Sequence, residues 1–136
     1  MHPEPEDLQR VPLFAELTDA ERAQVAAWFE IQEHDAGERI VHEGSPGYGF
    51  FVLDAGEVRI KHDGHEVGHL APGDVFGELA LLGDGRRHAD VIAATDVRVF
   101  SMFGTHFREM QSTMPAIEAG LERLADERLA QPAQPA

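Results

Sequence analysis

The 136-residue sequence predicts one mainly β domain, an antiparallel double-stranded β-helix of the jelly-roll type with helices before and after it. Short apolar and β-branched runs alternate with glycines from about residue 31 to 101, which is typical of an antiparallel sandwich or barrel. Apolar residues at 3–4 spacing precede and follow that stretch, so a short N-terminal helix and C-terminal helices over about 105–130 are expected. A chain of this length folds without a metal or a disulfide.

The two chain ends and the first helix are predicted from local composition. Residues 1–9 are rich in Pro and Glu, and residues 131–136 in Pro and Ala, so both segments are expected to be disordered tails. Thr18 and Glu21 have the spacing of a capping box, which predicts that a helix starts there. Trp28 belongs to the apolar face of that helix, which is expected to end near residue 30.

About eight short strands are predicted in the central segment, separated by turns. Asp63-Gly64 is the clearest turn, because it lies between two alternating runs and favours a two-residue type I′ hairpin. Residues 71–74 form another turn. The last two strands are expected at 91–94 and 97–100.

Two helices are predicted after the strands. The first is short and lies near 106–110, and the second starts with Pro115 near its N1 position. Apolar residues recur at 3–4 spacing along the second helix, which predicts a stripe that packs on the roll or on a second subunit, and is compatible with a lid over a ligand. Arg123 and Arg128 lie in its later half, where the helix dipole favours cations.

The composition excludes several function classes. Asp and Glu number 25 against 11 Lys and Arg, a net charge of −14, so neither nucleic acid nor a membrane surface is an expected partner. The absence of cysteine excludes disulfides, a Cys nucleophile and Cys-ligated metals. The sequence has no apolar run of membrane-spanning length and no signal-peptide pattern, so a cytoplasmic location is expected. Any anionic ligand must be held by a few local donors in a sheltered site.

The stretch from residue 72 to 91 carries the candidate chemistry. Gly77 lets a ligand approach the backbone closely, and helix-forming residues follow it, so a short helical turn with an anion-binding N-terminus is expected. Arg86 and Arg87 are adjacent cations, and a planar guanidinium can bind two phosphate oxygens at once. Glu78 can accept a hydrogen bond from a sugar hydroxyl. Together these groups match a sugar phosphate.

Five short motifs, three of which contain glycine, follow one another along residues 10–125. They are Val11-Pro12-Leu13-Phe14, residues 37–44, residues 50–58, Pro72-Gly73-Asp74-Val75-Phe76-Gly77-Glu78 and Arg87-His88-Ala89-Asp90-Val91. With these motifs in this order, the sequence resembles the cyclic nucleotide-binding domain. This module is shared by bacterial catabolite activator proteins and protein kinase regulatory subunits. The resemblance implies such a domain over residues 10–130, with its β-roll at about 31–101.

The resemblance also implies the residues of a ligand site. The ligand-binding set is Gly77, Glu78, Leu79, Ala80, Arg87, His88, Ala89 and Val91. Glu78 would accept the ribose 2′-hydroxyl, and Arg87, nine positions later, would pair with the cyclic phosphate. The N–H groups of Ala80 and His88 would bind phosphate oxygens, and Val91 would pack on the base.

Three positions depart from the family pattern. Arg86 replaces a proline, His88 a small residue, and Asp90 a serine or threonine. Asp90 either points away from the phosphate, as strand alternation favours, or pairs with Arg87 and competes with the ligand. A hydroxyl at position 88 would contact a guanine, and His88 has none, so cyclic AMP (cAMP) is favoured over cyclic GMP (cGMP).

These observations predict a regulatory module without catalytic activity or a cofactor, which binds cAMP, or else cGMP, and signals through its C-terminal helix to an effector protein or a second copy. The alternative is a degenerate β-roll that no longer binds nucleotide and acts in protein interaction. A cupin-like metalloenzyme is a third hypothesis from fold alone. His62, His65 and His69 flank an exposed hairpin with no evident carboxylate to complete a set, so no metal site is expected.

Overall fold

The computed structural model describes residues 1–83 and 85–130. Its elements are α1 (Pro5–Gln9), a 3₁₀ turn (Pro12–Phe14), α2 (Asp19–Trp28), β1 (Glu30–His34), β2 (Arg39–Val41), β3 (Gly49–Ala55), β4 (Val58–His62), β5 (His65–Leu70), β6 (Val75–Phe76), α3 (Glu78–Leu82), β7 (Asp90–Ala93), β8 (Val97–Phe103), α4 (Gly104–Thr113) and α5 (Pro115–Leu129). The predicted order, a helical start, eight strands and closing helices, is confirmed. None of the helices in this part of the chain has the length and apolar character to cross a bilayer.

Two four-stranded antiparallel sheets form the roll. Their strand orders are β1-β8-β3-β6 and β2-β7-β4-β5, so each sheet joins strands that are distant in sequence. The hairpin between β4 and β5 has Asp63 at φ 52° and Gly64 at φ 80°. Positive φ at both central residues is the type I′ geometry, as predicted from Asp-Gly.

An inner apolar cluster fills the space between the two sheets. Its buried members are Val41, Leu53, Val58, Ile60, Leu70, Phe76, Ala89, Val91, Ala93, Val97 and Val99. Strand β3 shows how alternation divides the core, because Phe51 and Leu53 belong to this inner cluster while Phe50 and Val52 belong to a second one. The strands are therefore apolar on both faces where the helices cover them.

An outer apolar cluster lies between the helices and the outer face of the first sheet. The 3₁₀ turn, α2, α4 and α5 all contribute to it, and Phe29 makes ring contacts with Phe14, Phe50 and Phe100 at centroid distances of 5.9, 6.3 and 6.1 Å. Ile117 of α5 is completely buried there. This cluster fixes α5 against the roll, close to the loop between β6 and β7.

The predicted disordered tail at residues 1–9 is corrected by the structure. Residues 5–9 form α1, and Leu8 is completely buried in the outer cluster. The Asp7 carboxylate accepts a hydrogen bond from the Glu4 N–H at 2.9 Å and supports the helix start. One apolar residue among charged ones gives no helical period, so the tertiary contact of Leu8 is invisible to local pattern. The other predicted tail, residues 131–136, lies outside the described residues.

Candidate functional site

The candidate site is formed by the loop that connects β6 to β7. Gly77 caps the N-terminus of α3 with φ 91°, a left-handed conformation that favours glycine. A Cβ at this position would also lie 2.8 Å from Nη1 of Arg87 and 2.9 Å from the Gly49 carbonyl oxygen. Both backbone conformation and space therefore require glycine at position 77. The short helix predicted after it is observed as α3.

The Arg87 guanidinium is held inside the site by backbone carbonyls. Its Nη1 donates to the Gly77 carbonyl and its Nη2 to the Gly49 carbonyl, each at 2.9 Å. Three of the five guanidinium N–H groups are not used in these two bonds. Among residues 1–83 and 85–130, no carboxylate forms an ion pair with Arg87, which is only 9% exposed. Burial lowers the pKa of Arg87, and the charge of Glu78 opposes this effect.

Two glycines, Gly47 in the loop between β2 and β3 and Gly49 at the start of β3, complete the surroundings of Arg87. A Cβ on Gly47 would lie 2.7 Å from Nε of Arg87 and 2.6 Å from Cβ of Ala80. Gly49 supplies the carbonyl that accepts from Nη2. Sequence analysis did not assign these two residues to the site. The dense glycines at 44, 47 and 49 were the available signal, because a close approach between backbones often requires glycine.

Glu78 is completely buried, and one of its two carboxylate oxygens is paired. Oε1 accepts a hydrogen bond from Nη1 of Arg128, and Nη2 of Arg128 donates to the Val75 carbonyl at 2.6 Å. Oε2 accepts no hydrogen bond from the described residues. Burial raises the pKa of Glu78; the positive charge of Arg128 is the largest opposing effect, and that of Arg87 is a smaller one. Sequence analysis had interpreted Arg128 only through the helix dipole.

The departures at Asp90 and Arg86 lie away from the guanidinium of Arg87. Oδ1 of Asp90 accepts a hydrogen bond from the Glu43 N–H at 2.7 Å and lies 3.9 Å from Nη1 of Arg39. Of the two orientations considered for Asp90, the structure therefore has the one that points away. Arg86 is exposed and donates to the Gly44 carbonyl at 3.0 Å.

The remaining residues of the predicted ligand-binding set lie near Glu78 and Arg87 and differ in how deeply they are buried. Leu79 and Ala80 are buried in α3, whereas Ala89 and Val91 belong to the inner cluster. His88 is half-buried beside Arg87. The structure thus collects the set along one loop and the strand that follows it, while the contacts of its members with a nucleotide stay a prediction.

One of the hairpin histidines has carboxylates nearby. His62 Nδ1 lies 3.6 Å from Oε2 of Glu43, and its Nε2 lies 3.6 Å from Oδ2 of Asp63. The same Nδ1 lies 3.1 Å from the carbonyl oxygen of His88. The second carboxylate, Glu43, comes from a different turn, so local sequence around the hairpin does not show this group. The group is on the surface, with 77% of the Asp63 side chain exposed.

Comparison with known proteins gives the family. The family model for the cyclic nucleotide-binding domain matches residues 31–113. A cAMP-dependent protein kinase regulatory subunit of Colletotrichum orbiculare is 41% identical over 112 residues, which are 81% of this chain and 29% of the relative. The chain thus spans less than a third of that protein's length.

Two solved structures are similar over most of the chain. The regulatory domain of Toxoplasma gondii PKA, co-crystallised with cAMP, has a TM-score of 0.79 and 27% identity, covering 90% of this chain and 48% of that one. The catabolite activator protein of Thermus thermophilus has a TM-score of 0.78 and 27% identity, covering 88% of this chain and 58% of that one. With the β-roll, the glycine-lined loop and the buried arginine, these matches place the chain in the cyclic nucleotide-binding domain family.

Proposed function

We propose that this domain binds a cyclic nucleotide, with cAMP as the favoured ligand, at the loop between β6 and β7. The observation that carries the proposal is the buried guanidinium of Arg87, which has neutral carbonyls and no carboxylate as its partners among the described residues. A buried cation without a counter-ion costs free energy, and a bound anion offsets that cost. A cyclic phosphate carries one negative charge on two free oxygens, which suits a guanidinium with unused N–H groups.

The proposed site also explains how an acidic protein holds an anionic ligand. The net charge of −14 repels anions, but salt at physiological ionic strength largely screens this repulsion beyond a distance of about 8 Å. The absence of a side chain at Gly47 and Gly77 leaves room for the guanidinium. Short-range donors in a sheltered place can therefore outweigh the overall charge.

The sugar and the base would be bound by the neighbours of Arg87. Glu78 would accept the ribose 2′-hydroxyl, since an ionised carboxylate is an acceptor only. His88 offers no hydroxyl to a guanine, which favours cAMP over cGMP. The fungal relatives named as cAMP-dependent and the Toxoplasma domain co-crystallised with cAMP support this preference.

The domain would act by binding and regulation, without catalysis or a cofactor. Its relatives are named as regulatory subunits and as an activator protein. The output would pass through α5 to an effector protein or a second copy of the chain, because this helix packs beside the site and exposes 62% of Leu129 at its end. Ligand binding would shift the population of α5 positions by its differential affinity for them.

The alternative function, protein interaction by a roll that has lost its ligand, is favoured by one observation. Glu78 is completely buried and already paired with Arg128, so its carboxylate has no exposed surface in this state. In that case cAMP and cGMP would both fail to bind at millimolar concentration.

Isothermal titration with cAMP and cGMP distinguishes the two functions. Wild type is expected to bind cAMP, and Arg87→Ala is expected to weaken binding by about 2 kcal/mol or more, roughly 30-fold. Arg86→Ala removes the same charge from an exposed neighbour and serves as the matched control. Failure of wild type to bind either nucleotide, or equal affinities for the two variants, would reject the proposal.

A further inference from the structure

Arg128 connects the C-terminal helix to the candidate site. It lies in the last turn of α5, and only 13% of its side chain is exposed. Its guanidinium contacts two elements at once, the Glu78 carboxylate at the start of α3 and the Val75 carbonyl of β6. Both contacts are hydrogen bonds from separate nitrogens, so the orientation of the guanidinium is fixed.

The two oxygens of the Glu78 carboxylate are in different situations. Oε1 is committed to Arg128, whereas Oε2 is buried without a hydrogen-bond donor from the described residues. A buried acceptor without a donor costs free energy, which a hydroxyl group would relieve. Arg128 therefore leaves one oxygen of Glu78 for a donor that residues 1–83 and 85–130 do not supply.

We propose that Arg128 is a positioning residue for the sugar, which orients the Glu78 carboxylate so that Oε2 accepts the 2′-hydroxyl of a ribonucleotide. This inference rests on the proposed function and adds the last turn of α5 to the determinants of the ligand site. Arg128 acts through Glu78 and does not itself contact the nucleotide.

Two properties of the pair support this role. The guanidinium charge stabilises the ionised form of a carboxylate that burial would otherwise protonate, and a protonated carboxyl group is a weaker acceptor. The bond from Nη2 to the Val75 carbonyl holds Arg128 to β6, so Oε1 stays occupied while a ligand reaches Oε2. Because coupling is reciprocal, a ribose bound to Glu78 stabilises the docked position of α5 by the same factor.

The test compares cAMP with its 2′-deoxy analogue in wild type and variants by isothermal titration. Arg128→Met keeps the aliphatic stem and removes the charge and donors. It is expected to weaken cAMP binding about tenfold or more and to leave the affinity for 2′-deoxy-cAMP within roughly twofold of wild type. Arg128→Lys retains a charge and is expected to recover part of the loss. Arg123→Met removes an exposed arginine of the same helix and should change neither affinity.

The possible outcomes separate this inference from the proposed function. If wild type binds neither cAMP nor cGMP, both fail. If wild type prefers cAMP to its 2′-deoxy analogue and Arg128→Met keeps that preference, only the role of Arg128 is rejected. Tighter cAMP binding by Arg128→Met would show that the arginine competes with the ribose, and an equal loss for both ligands would show a general structural role. Thermal unfolding of each variant identifies any loss of fold. If Arg128→Met does not fold, the two affinities of Arg128→Lys are compared with those of wild type instead.

Discussion

Gly47 lies directly against the guanidinium of Arg87, so that a methyl group at position 47 would be 2.7 Å from Nε and 2.9 Å from Cζ. The guanidinium also lies over an aromatic ring, with Cζ 5.6 Å from the centroid of Phe51. Phe51 in turn stacks on Phe76 at a centroid distance of 4.9 Å. Arg87 is thus confined by the backbone at Gly47 and by a stacked aromatic pair.

Gly47→Ala is expected to displace Arg87 and weaken cAMP binding about tenfold or more, because the added methyl occupies the volume beside Nε. Isothermal titration measures the effect. Gly104→Ala adds the same group 3.1 Å from the flexible end of Leu81 and 3.3 Å from the Tyr48 carbonyl oxygen, and none of its close contacts is with Arg87, so this control should bind nearly as wild type does. Equal affinities for the two variants would contradict the confinement of Arg87.

The buried Glu78 predicts a specific dependence of stability on pH. Burial raises its folded-state pKa against the opposing charges of Arg128 and Arg87, while the unfolded value is about 4.3. Between these two values the folded state binds more protons than the unfolded state, so the Glu78 contribution to the unfolding free energy falls as the pH rises. At pH values below the unfolded-state pKa, the buried carboxyl group does not lower the unfolding free energy. At pH values above the folded-state pKa, the loss of unfolding free energy is constant.

Urea unfolding of wild type and Glu78→Gln across this pH range measures the penalty. The difference in unfolding free energy, wild type minus variant, is expected to decrease from pH 4 upward and then become flat. Gln24→Ala, an exposed change on α2 that removes no titratable group, should give a constant difference. A difference that increases with pH would mean that the arginines dominate over burial.

Position 88 is expected to set the choice between bases. His88→Thr supplies the hydroxyl that a guanine would contact, so the affinity for cGMP relative to cAMP should rise about tenfold. Competition titrations with both nucleotides measure the ratio. His88→Ala removes the imidazole without adding a hydroxyl, and an equal ratio in the two variants would exclude the hydroxyl as the cause.

The N-terminal helix is expected to contribute to stability. Leu8→Ala removes a completely buried side chain from the outer cluster and should lower the unfolding free energy by about 2–5 kcal/mol. Leu129→Ala changes a side chain that is 62% exposed and should cost less than about 0.5 kcal/mol. Denaturant unfolding compares the two variants. A small loss of stability in Leu8→Ala would instead favour the prediction that residues 1–9 are disordered.

The elements predicted from sequence are those with local signals. The Asp63-Gly64 hairpin, the capping box of Thr18 and Glu21, and the α3 turn after Gly77 each depend on residues within a few positions of one another. The motif order also gave the candidate pair Glu78 and Arg87.

The features that sequence analysis missed all depend on distant contacts. Arg128 and Glu78 are 50 positions apart, and Arg87 and Gly49 are 38 apart. Strand order in the two sheets and the docking of α5 beside α3 bring these residues together, and neither periodicity nor composition contains that information. The burial of Leu8 has the same origin, since its partners are the helices and strands that follow it.

The division of the apolar residues into two clusters has a consequence for how the domain is able to respond. Every residue of the inner cluster comes from the strands or the loops between them, whereas the buried apolar residues of α5 belong to the outer cluster. A displacement of α5 therefore leaves the packing between the two sheets intact. The apolar frame between the sheets and the helix that carries Arg128 are therefore mechanically separable, so a change in the position of α5 can alter the contact between Arg128 and Glu78 without repacking the two sheets.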